Sequence, residues 1–260
     1  MIGRLKKHSS ISRMKISLLI LLLIGFALVA AGCVGKSGTL IGEEKTLGNG
    51  KVRSWATFDN DGKPSAIGVT FSESALSGLP GESTTEYILA LPEKASTTAF
   101  NHIGLGWDAK GHPPLGIYET PHFDVFFYIL SPQARQYITA TGLDRANVEK
   151  KPEPEYIPAG YLPLPGGVPT QGAHWVDPYS PEFNRQPFTR TFIYGFYNGR
   201  MVFMGPMVTK DFLETKTNTT DAIKLPERFL RLSYYPTRYS VTYDAVAREY
   251  TISLEGMALR

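Results

Sequence analysis

The run from His122 to Leu130 limits the possible folds more strongly than any other segment of the chain. Apolar residues occupy both of its faces, since a strand turns alternate side chains to opposite sides. A strand of this kind lies inside a sheet that is covered on both sides, so we predict a central, covered strand here. One face carries Phe123, Val125, Phe127 and Ile129, and the other carries His122, Asp124, Phe126 and Tyr128.

Strand patterns dominate the rest of the chain as well. The 25 Gly, 19 Pro, 14 Tyr and 14 Phe residues indicate many turns that join aromatic strands. We predict a mainly β fold, either a β-sandwich or a jelly-roll or barrel-like domain, with two or three short helices and an α+β fold at the margin. The predicted strands are 51–58, 66–71, 86–91, 102–107, 188–197, 200–204, 239–243 and 249–254, and the predicted helices are 131–141 and 210–216.

Two connections carry specific signals. Asn198-Gly199 predicts a type I′ hairpin turn, because both central residues of that turn need a positive φ. Residues 145–171 become rich in Pro and Gly and predict a long loop, which Tyr156 and Tyr161 pack against the domain. A long loop without secondary structure is often functional.

The N-terminus predicts export. Residues 1–15 contain five basic residues and no acidic one, and residues 16–32 are almost wholly apolar, which is typical of a signal peptide. The segment 30–33, Ala-Ala-Gly-Cys, resembles a lipobox and makes Cys33 a candidate for lipid attachment. The alternative is an uncleaved anchor, and both place residues 34–260 outside the cytoplasmic membrane. We therefore predict a signal peptide over 1–32, a tether over 33–50 and a single β-rich domain over 51–260.

Charge and cysteine content exclude several classes of function. The whole chain has 27 Lys and Arg against 24 Asp and Glu. Without the five basic residues of the signal, the chain has 22 basic and 24 acidic residues. Its sequence shows no cluster of basic residues, so nucleic-acid binding is disfavoured. The single Cys excludes an internal disulfide framework and a thiolate metal cluster. Because Cys33 is committed to the lipid or to the anchor, a cysteine nucleophile is excluded as well.

Histidines are the remaining candidates for chemistry. On a strand, His122 and Asp124 lie on the same face, about 6.5–7 Å apart along the chain. His112 from the preceding loop and His174 from a distant one would complete a site for a divalent metal, made of imidazoles and a carboxylate. An Asp124–imidazole pair acting as a general base is one alternative, and purely structural histidines are another. The position of His102 relative to this group stays open.

The familiar catalytic signatures are absent from the sequence, so its enzyme status stays undecided. It contains no Gly-x-Ser-x-Gly, His-Glu-x-x-His, P-loop or Gly-x-Gly-x-x-Gly motif. Asn218 begins an Asn-Thr-Thr sequon, which is a glycosylation site if the host glycosylates exported proteins.

Several local motifs together resemble a family of uncharacterised exported proteins, whose structural type member is a hypothetical sigma-E-regulon protein of Thermus. The resemblance spans roughly residues 51–243. It implies a shared β-rich fold and a tendency to form homo-oligomers, and it supplies no established activity. The motifs are Gly-His-Pro-Pro at 111–114, Pro-His-Phe-Asp at 121–124, Pro-Ala-Gly-Tyr at 158–161, Gly-Ala-His-Trp-Val-Asp-Pro at 172–178, Ser-Pro-Glu-Phe at 180–183, Phe-Thr-x-Thr-Phe-Ile-Tyr-Gly at 188–195 and Pro-Met at 206–207.

This chain departs from the family pattern at two positions. The family's central strand reads His-Phe-Asp-x-His-Phe-Tyr, and a Glu precedes its later Pro-Met. Phe126 and Gly205 stand at those positions here. If both residues are ligands in relatives, this chain lacks them and holds a metal more weakly, or it is a non-catalytic relative.

Three functional hypotheses follow. The first is a lipid-anchored cell-envelope protein that binds a divalent metal or a small ligand through His112, His122, Asp124 and His174. The second is a cupin-like metal-dependent enzyme, in which the metal polarises a substrate or activates water. The third is a structural or stress-related surface protein that assembles with itself and has no site.

Overall fold

Fifteen strands and three short α-helices organise residues 38–82 and 84–260, which together with Met1 and Gly3 are the part of the chain that the computed structural model describes. The strands are β1 (Gly38–Leu47), β2 (Gly50–Phe58), β3 (Pro64–Ser72), β4 (Thr85–Ala90), β5 (His102–Asp108), β6 (His122–Tyr128), β7 (Leu162–Pro163), β8 (Ala173–Val176), β9 (Arg190–Tyr197), β10 (Arg200–Thr209), β11 (Thr219–Ala222), β12 (Tyr234–Tyr235), β13 (Arg238–Asp244), β14 (Glu249–Glu255) and β15 (Ala258–Leu259). The α-helices are α1 (Pro132–Arg135), α2 (Arg145–Glu149) and α3 (Lys210–Glu214), and turns of 3-10 helix cover Glu73–Leu76, Glu93–Thr97, Gly142–Asp144, Pro154–Tyr156 and Pro181–Asn184.

Two antiparallel sheets pack face to face. The six-stranded sheet has the order β1-β2-β3-β14-β13-β11, and the seven-stranded sheet has the order β4-β5-β6-β10-β9-β8-β7. Phe71 of β3 lies 5.7 Å from Phe123 of β6, measured between ring centroids, and Phe192 of β9 lies 5.2 Å from Tyr239 of β13. A small third sheet pairs β12 with β15. The mainly β class is confirmed, in its β-sandwich form.

Strand β6 is buried along its whole length, as predicted. Phe123, Val125 and Phe127 belong to the large core between the sheets. Phe126 and Tyr128 belong to a second core on the opposite side of the seven-stranded sheet. The loops and short helices that follow β5, β6 and β8 cover this outer core, so β6 has apolar contacts on both faces.

The first strand of the fold lies within the segment that the sequence predicts as a tether. Residues 38–47 of the predicted tether form β1, which pairs with β2 and belongs to the compact unit Lys36–Arg260. Only Leu47 of this strand is buried, so the strand needs no alternation of apolar residues and alternation does not predict it. The predicted signal peptide and Cys33 fall outside the described residues, apart from Met1 and Gly3.

The predicted helix over 131–141 is shorter than expected. Ser131 caps it by accepting a hydrogen bond from the Ala134 backbone N–H, but the helix ends at Arg135. The Asp144 carboxylate accepts hydrogen bonds from the backbone N–H groups of Thr139 and Ala140, at 2.8 and 3.0 Å. These groups are therefore held by a side chain instead of by helical carbonyls.

The predicted loop over 145–171 contains short regular elements. It includes α2, the 3-10 turn at Pro154–Tyr156 and strand β7. Tyr161 is buried in the large core and donates a hydrogen bond to the Phe192 carbonyl, so the predicted packing role of this tyrosine is confirmed. The segment from Leu164 to Gln171 rims the cavity described below.

The hairpin predictions are confirmed. Asn198 and Gly199 join β9 to β10 with φ angles of 50° and 73°, as a type I′ turn requires. Strands β13 and β14 form the closing hairpin, and α3 begins after Thr209, whose hydroxyl caps it.

The turn at Gly199 supplies a stability test. We expect Gly199→Ala to lower the free energy of unfolding by about 1 kcal/mol, because a left-handed φ costs an L-residue about 1–2 kcal/mol. The added Cβ would meet no atom closer than 3.4 Å, so steric overlap adds little. Urea denaturation measures the loss.

Gly81→Ala is the matched control for Gly199→Ala. A Cβ at Gly81 meets nothing within 4 Å, and its φ is not in the left-handed region. We expect this control to change stability by less than about 0.5 kcal/mol. Equal losses in the two variants would contradict the assignment of the cost to the turn.

Candidate metal centre

Two glycines open the outer face of the seven-stranded sheet. Gly104 and Gly106 of β5 share this face with the neighbouring side chains of β4 and β6. In register, Gly106 lies between Glu86 and Asp124, and Gly104 pairs with Phe126. Since glycine has no side chain, space remains above β5, and both glycines line a cavity of about 690 Å³.

Four side chains converge at one end of this cavity. Asp108, His112, His122 and Asp124 each offer a ligand atom, and these atoms all lie within 4.8 Å of one another. Asp108 ends β5 directly opposite His122, the first residue of β6. Asp124 follows on the same face of β6, and His112 enters from the β5–β6 loop. Three of the four residues are buried, and His112 is half-buried.

Both imidazoles of the group are oriented by backbone carbonyls. His112 Nδ1 lies 2.7 Å from the Pro113 carbonyl oxygen, and His122 Nδ1 lies 2.7 Å from that of Thr120. A carbonyl oxygen can only accept, so each Nδ1 carries the proton and each Nε2 keeps its lone pair when the ring is neutral. Carbonyls support metal-binding histidines in the same way.

The Nε2 atoms point at Asp124. His112 Nε2 lies 3.6 Å from Asp124 Oδ2, and His122 Nε2 lies 3.4 Å from Asp124 Oδ1. Both nitrogens and Asp124 Oδ1 are buried and find no hydrogen-bond partner among the described residues. Burying such groups without partners costs about 1–3 kcal/mol each. A cation between them would contact all three.

Charges within this group shift the pKa values of three of its members. Burial raises the pKa of Asp124, but His112 and His122 lower it well below its usual range. Burial lowers the pKa of His112, and the Asp124 carboxylate overcomes this effect and raises the pKa to about 9. Burial and the Asp124 charge raise the pKa of Asp108, against a hydrogen bond donated by Thr84. A second negative charge beside Asp124 therefore needs further compensation.

The structure does not bring His174 into the four-residue group. His174 lies on β8, and β9 and β10 separate β8 from β6, whereas His112 and His122 lie beside Asp124. Its Nε2 lies 2.7 Å from Gln171 Oε1, and its ring meets Phe126 edge-on with centroids 5.9 Å apart. His174 therefore lines the same cavity at a distance from the group.

His102 has a structural role. Its ring stacks on Tyr128 at 4.9 Å, and its Nε2 accepts a hydrogen bond from the buried Arg135 at 3.0 Å. Burial, followed by the Arg135 charge, lowers the pKa of His102 to about 4.

The Asn218 side chain, the predicted sequon residue, is exposed and accepts a hydrogen bond from the Tyr243 backbone N–H.

Sequence reasoning missed Asp108, although a signal was present. Gly104, Gly106 and Asp108 alternate along β5, so they share one face of the strand. The antiparallel pairing of β5 with β6 then sets Asp108 opposite His122. The strand that carries the two glycines therefore also supplies the fourth member of the group.

The two departures from the family pattern have different surroundings. Phe126 lines the cavity next to Asp124 and stacks on Phe203 at 4.1 Å. Gly205 lies where β10 approaches β6, and a Cβ there would be 2.0 Å from the Val125 carbonyl oxygen. This backbone leaves no room for a side chain at position 205.

Comparison with protein families supports the predicted resemblance. Residues 59–107 match the model of the TTHB210-like family, which is described as hypothetical protein TTHB210. The match covers β3, β4 and nearly all of β5, and it stops one residue before Asp108. A comparison with curated proteins and another with solved structures gave no match. The family match therefore supplies no activity for the site.

The buried His174 predicts a pH-dependent stability. Burial lowers the pKa of His174 to about 4, against about 6.5 in an unfolded chain. Between these values the unfolded chain binds more protons, so stability falls as the pH falls through this window. We expect this residue to contribute a loss of about 2 kcal/mol between pH 7 and pH 5.

His174→Phe isolates this contribution. The phenylalanine ring preserves the edge-on aromatic contacts and removes the titrating group. Urea unfolding of the metal-free protein at several pH values should show a flatter profile for this variant than for the parent. Two parallel profiles would show that His174 does not titrate in the expected way.

Proposed function

We propose that this chain binds one divalent transition-metal ion through Asp108, His112, His122 and Asp124. The observation that carries the proposal is the convergence of two carbonyl-supported Nε2 atoms and a carboxylate oxygen, all buried and without hydrogen-bond partners among the described residues. The nitrogen-to-oxygen distances of 3.4 and 3.6 Å fit the proposal. Tetrahedral ligands at 2.0–2.2 Å from a metal lie about 3.3–3.6 Å from one another.

The donor set narrows the choice of metal. Two imidazoles and two carboxylates suit zinc, iron(II) and manganese, whereas copper(I) prefers the sulfur ligands that this group lacks. The carboxylates also compensate the charge of a divalent ion.

A cupin-like enzyme is the second candidate function. His112, Asp108 and Asp124 line the large cavity, so a small molecule can reach an ion held there. An ion at this position would polarise a bound carbonyl or activate a water molecule. Access from the cavity supports this candidate over a metal site that is sealed inside the protein.

Metal content tests the proposal directly. Protein purified without chelators and without a polyhistidine tag should contain about one divalent ion per chain by mass spectrometry. His122→Gln and Asp124→Asn each remove a ligand and should lower this content at least tenfold. Added metal at 100 times its Kd should stabilise the parent by about 2.7 kcal/mol.

His174→Phe is the matched control, because His174 lines the cavity outside the group. It should keep the metal, and loss of the metal in this variant would contradict the four-residue assignment. A parent protein that binds no zinc, iron, manganese or copper would overturn the metal site. The third hypothesis, a self-assembling structural protein, would then be favoured.

We also propose that the mature chain is anchored outside the cytoplasmic membrane through a lipid on Cys33. The basic and apolar N-terminal segments and the lipobox-like Ala-Ala-Gly-Cys support this proposal. No helix among the described residues is long and apolar enough to cross a membrane.

Cys33→Ser tests the anchor. We expect the parent to sediment with membranes and to incorporate labelled fatty acid, because a thioether-linked lipid holds it there. The variant should lose the label. Labelling that is unchanged in the variant would disprove lipid attachment at Cys33, and a chain that stays in the cytoplasm would disprove export.

A further inference from the structure

Glu86 lies on the wall of the cavity that faces the four-residue group. It pairs with Gly106, and Gly106 pairs with Asp124, so the three residues form one row across β4, β5 and β6. Two strand spacings separate Glu86 from Asp124, about 10 Å between their Cα atoms. A glycine occupies the middle position, so the space between the two carboxylates belongs to the cavity.

Arg135 orients the Glu86 carboxylate. Arg135 Nη2 donates to Glu86 Oε1 at 2.7 Å, while Nε donates to the Thr170 carbonyl and Nη1 to His102. The guanidinium carbon also lies 3.5 Å from the centre of the Tyr128 ring. Each of these groups holds Arg135 in place, so Arg135 acts as a positioning residue for Glu86.

This arrangement leaves one acceptor free. Glu86 Oε2 receives no hydrogen bond from the described residues, and the side chain is 31% exposed. Arg135 is 1% exposed, and burying a guanidinium is expensive even when it is paired. An apolar residue would fill the same space at less cost. The buried guanidinium therefore holds Oε1 and leaves Oε2 without a hydrogen bond, on a side chain that lines the cavity.

The charges of the cavity favour a neutral ligand. No Lys or Arg lines it among the described residues. Arg135 balances Glu86, and a divalent ion would balance Asp108 and Asp124. An anionic ligand would thus find no cation with unbalanced charge.

The rest of the lining is both polar and apolar. The rings of Phe126, Pro113 and Pro114 supply apolar surface, and the Gln171 amide lies nearby on the rim. Gln171 Oε1 is used by His174, which leaves its NH₂ group to donate. Hydrogen-bonding groups separated by flat apolar surface suit a molecule with several hydroxyl groups.

We propose that the cavity binds a neutral polyhydroxy compound the size of a mono- or disaccharide. One hydroxyl donates to Glu86 Oε2, and another lies at the metal, so this inference rests on the proposed metal site. The cavity volume of about 690 Å³ is within the range of small-molecule sites.

Ligand-observed NMR on the metal-loaded protein tests the proposal with a matched set of probes. The neutral probes are glucose, galactose, mannose, maltose and sorbitol, and the anionic probe is glucuronate. At least one neutral probe should bind, and glucuronate should bind at least tenfold more weakly than that probe. Binding of no neutral probe, or tighter binding of glucuronate, would overturn the proposal.

Glu86→Gln replaces the free hydrogen-bond acceptor at Oε2 with a hydrogen-bond donor. The amide oxygen can still accept from Arg135, while an NH₂ donor replaces the free oxygen. We expect at least tenfold weaker binding of the neutral probe with unchanged metal content. Glu93→Gln, at an exposed position outside the cavity, is the control and should bind like the parent. Unchanged binding in Glu86→Gln would refute the role of Glu86.

Gly106→Ala keeps the test decisive if Glu86→Gln does not fold. Its added methyl group lies in the space between Glu86 and Asp124, and its nearest neighbour is the Asp124 Cβ at 3.2 Å. We expect weaker probe binding with Arg135 and Glu86 intact, and unchanged binding would count against the proposal. Metal content separates the two levels: a parent without metal overturns the proposed function, whereas a metal-loaded parent that ignores neutral probes overturns only this inference.

Discussion

A carboxylate in a strand that is buried along its whole length is the constraint on which the rest of this structure depends. Asp124 lies between Phe123 and Val125, which pack into the core between the sheets. A charge at such a depth is stable only beside opposite charge or hydrogen-bond donors. His112 and His122 supply that compensation, and the Pro113 and Thr120 carbonyls hold their rings in place. The β5–β6 loop therefore has a defined task, which is to bring His112 to this carboxylate.

The cavity exists because Gly104 and Gly106 have no side chains. A larger residue at Gly104 would collide with the Glu86 carboxylate and the Tyr128 ring, at 2.4 and 2.7 Å from its Cβ. One at Gly106 would enter the space in front of Asp124. The two glycines thus convert a covered sheet face into a cavity with a carboxylate on either side. Phe126 of β6 lines this cavity, and the Pro- and Gly-rich segment from Leu164 to Gln171 rims it.

The sequence predicts those strands and turns that depend on residues close together in the chain. The features that depend on pairing between distant strands could not be predicted from it. β6 and the Asn198-Gly199 turn follow from alternation and from backbone preference, so both could be found in the sequence. β1 was missed because an exposed edge strand with one buried residue has almost no apolar period. The observed group contains Asp108 where the sequence predicted His174, and the strand order explains the difference. β5 is next to β6, whereas β8 is three strands away. The alternation along β5 indicates that Asp108 shares a face with Gly104 and Gly106, but it does not indicate which strands pair.

The two charged networks of the cavity respond differently to a metal ion. Arg135 and Glu86 compensate each other whether or not an ion is bound. At the other end, the raised pKa of His112 means that a proton on this imidazole balances Asp124 when no ion is present. A metal ion would compete with the proton for the same lone pair, so its binding would release the proton. The site is thus electrically compensated in both states, which explains how a chain with so deep a carboxylate can fold before it acquires the metal we propose.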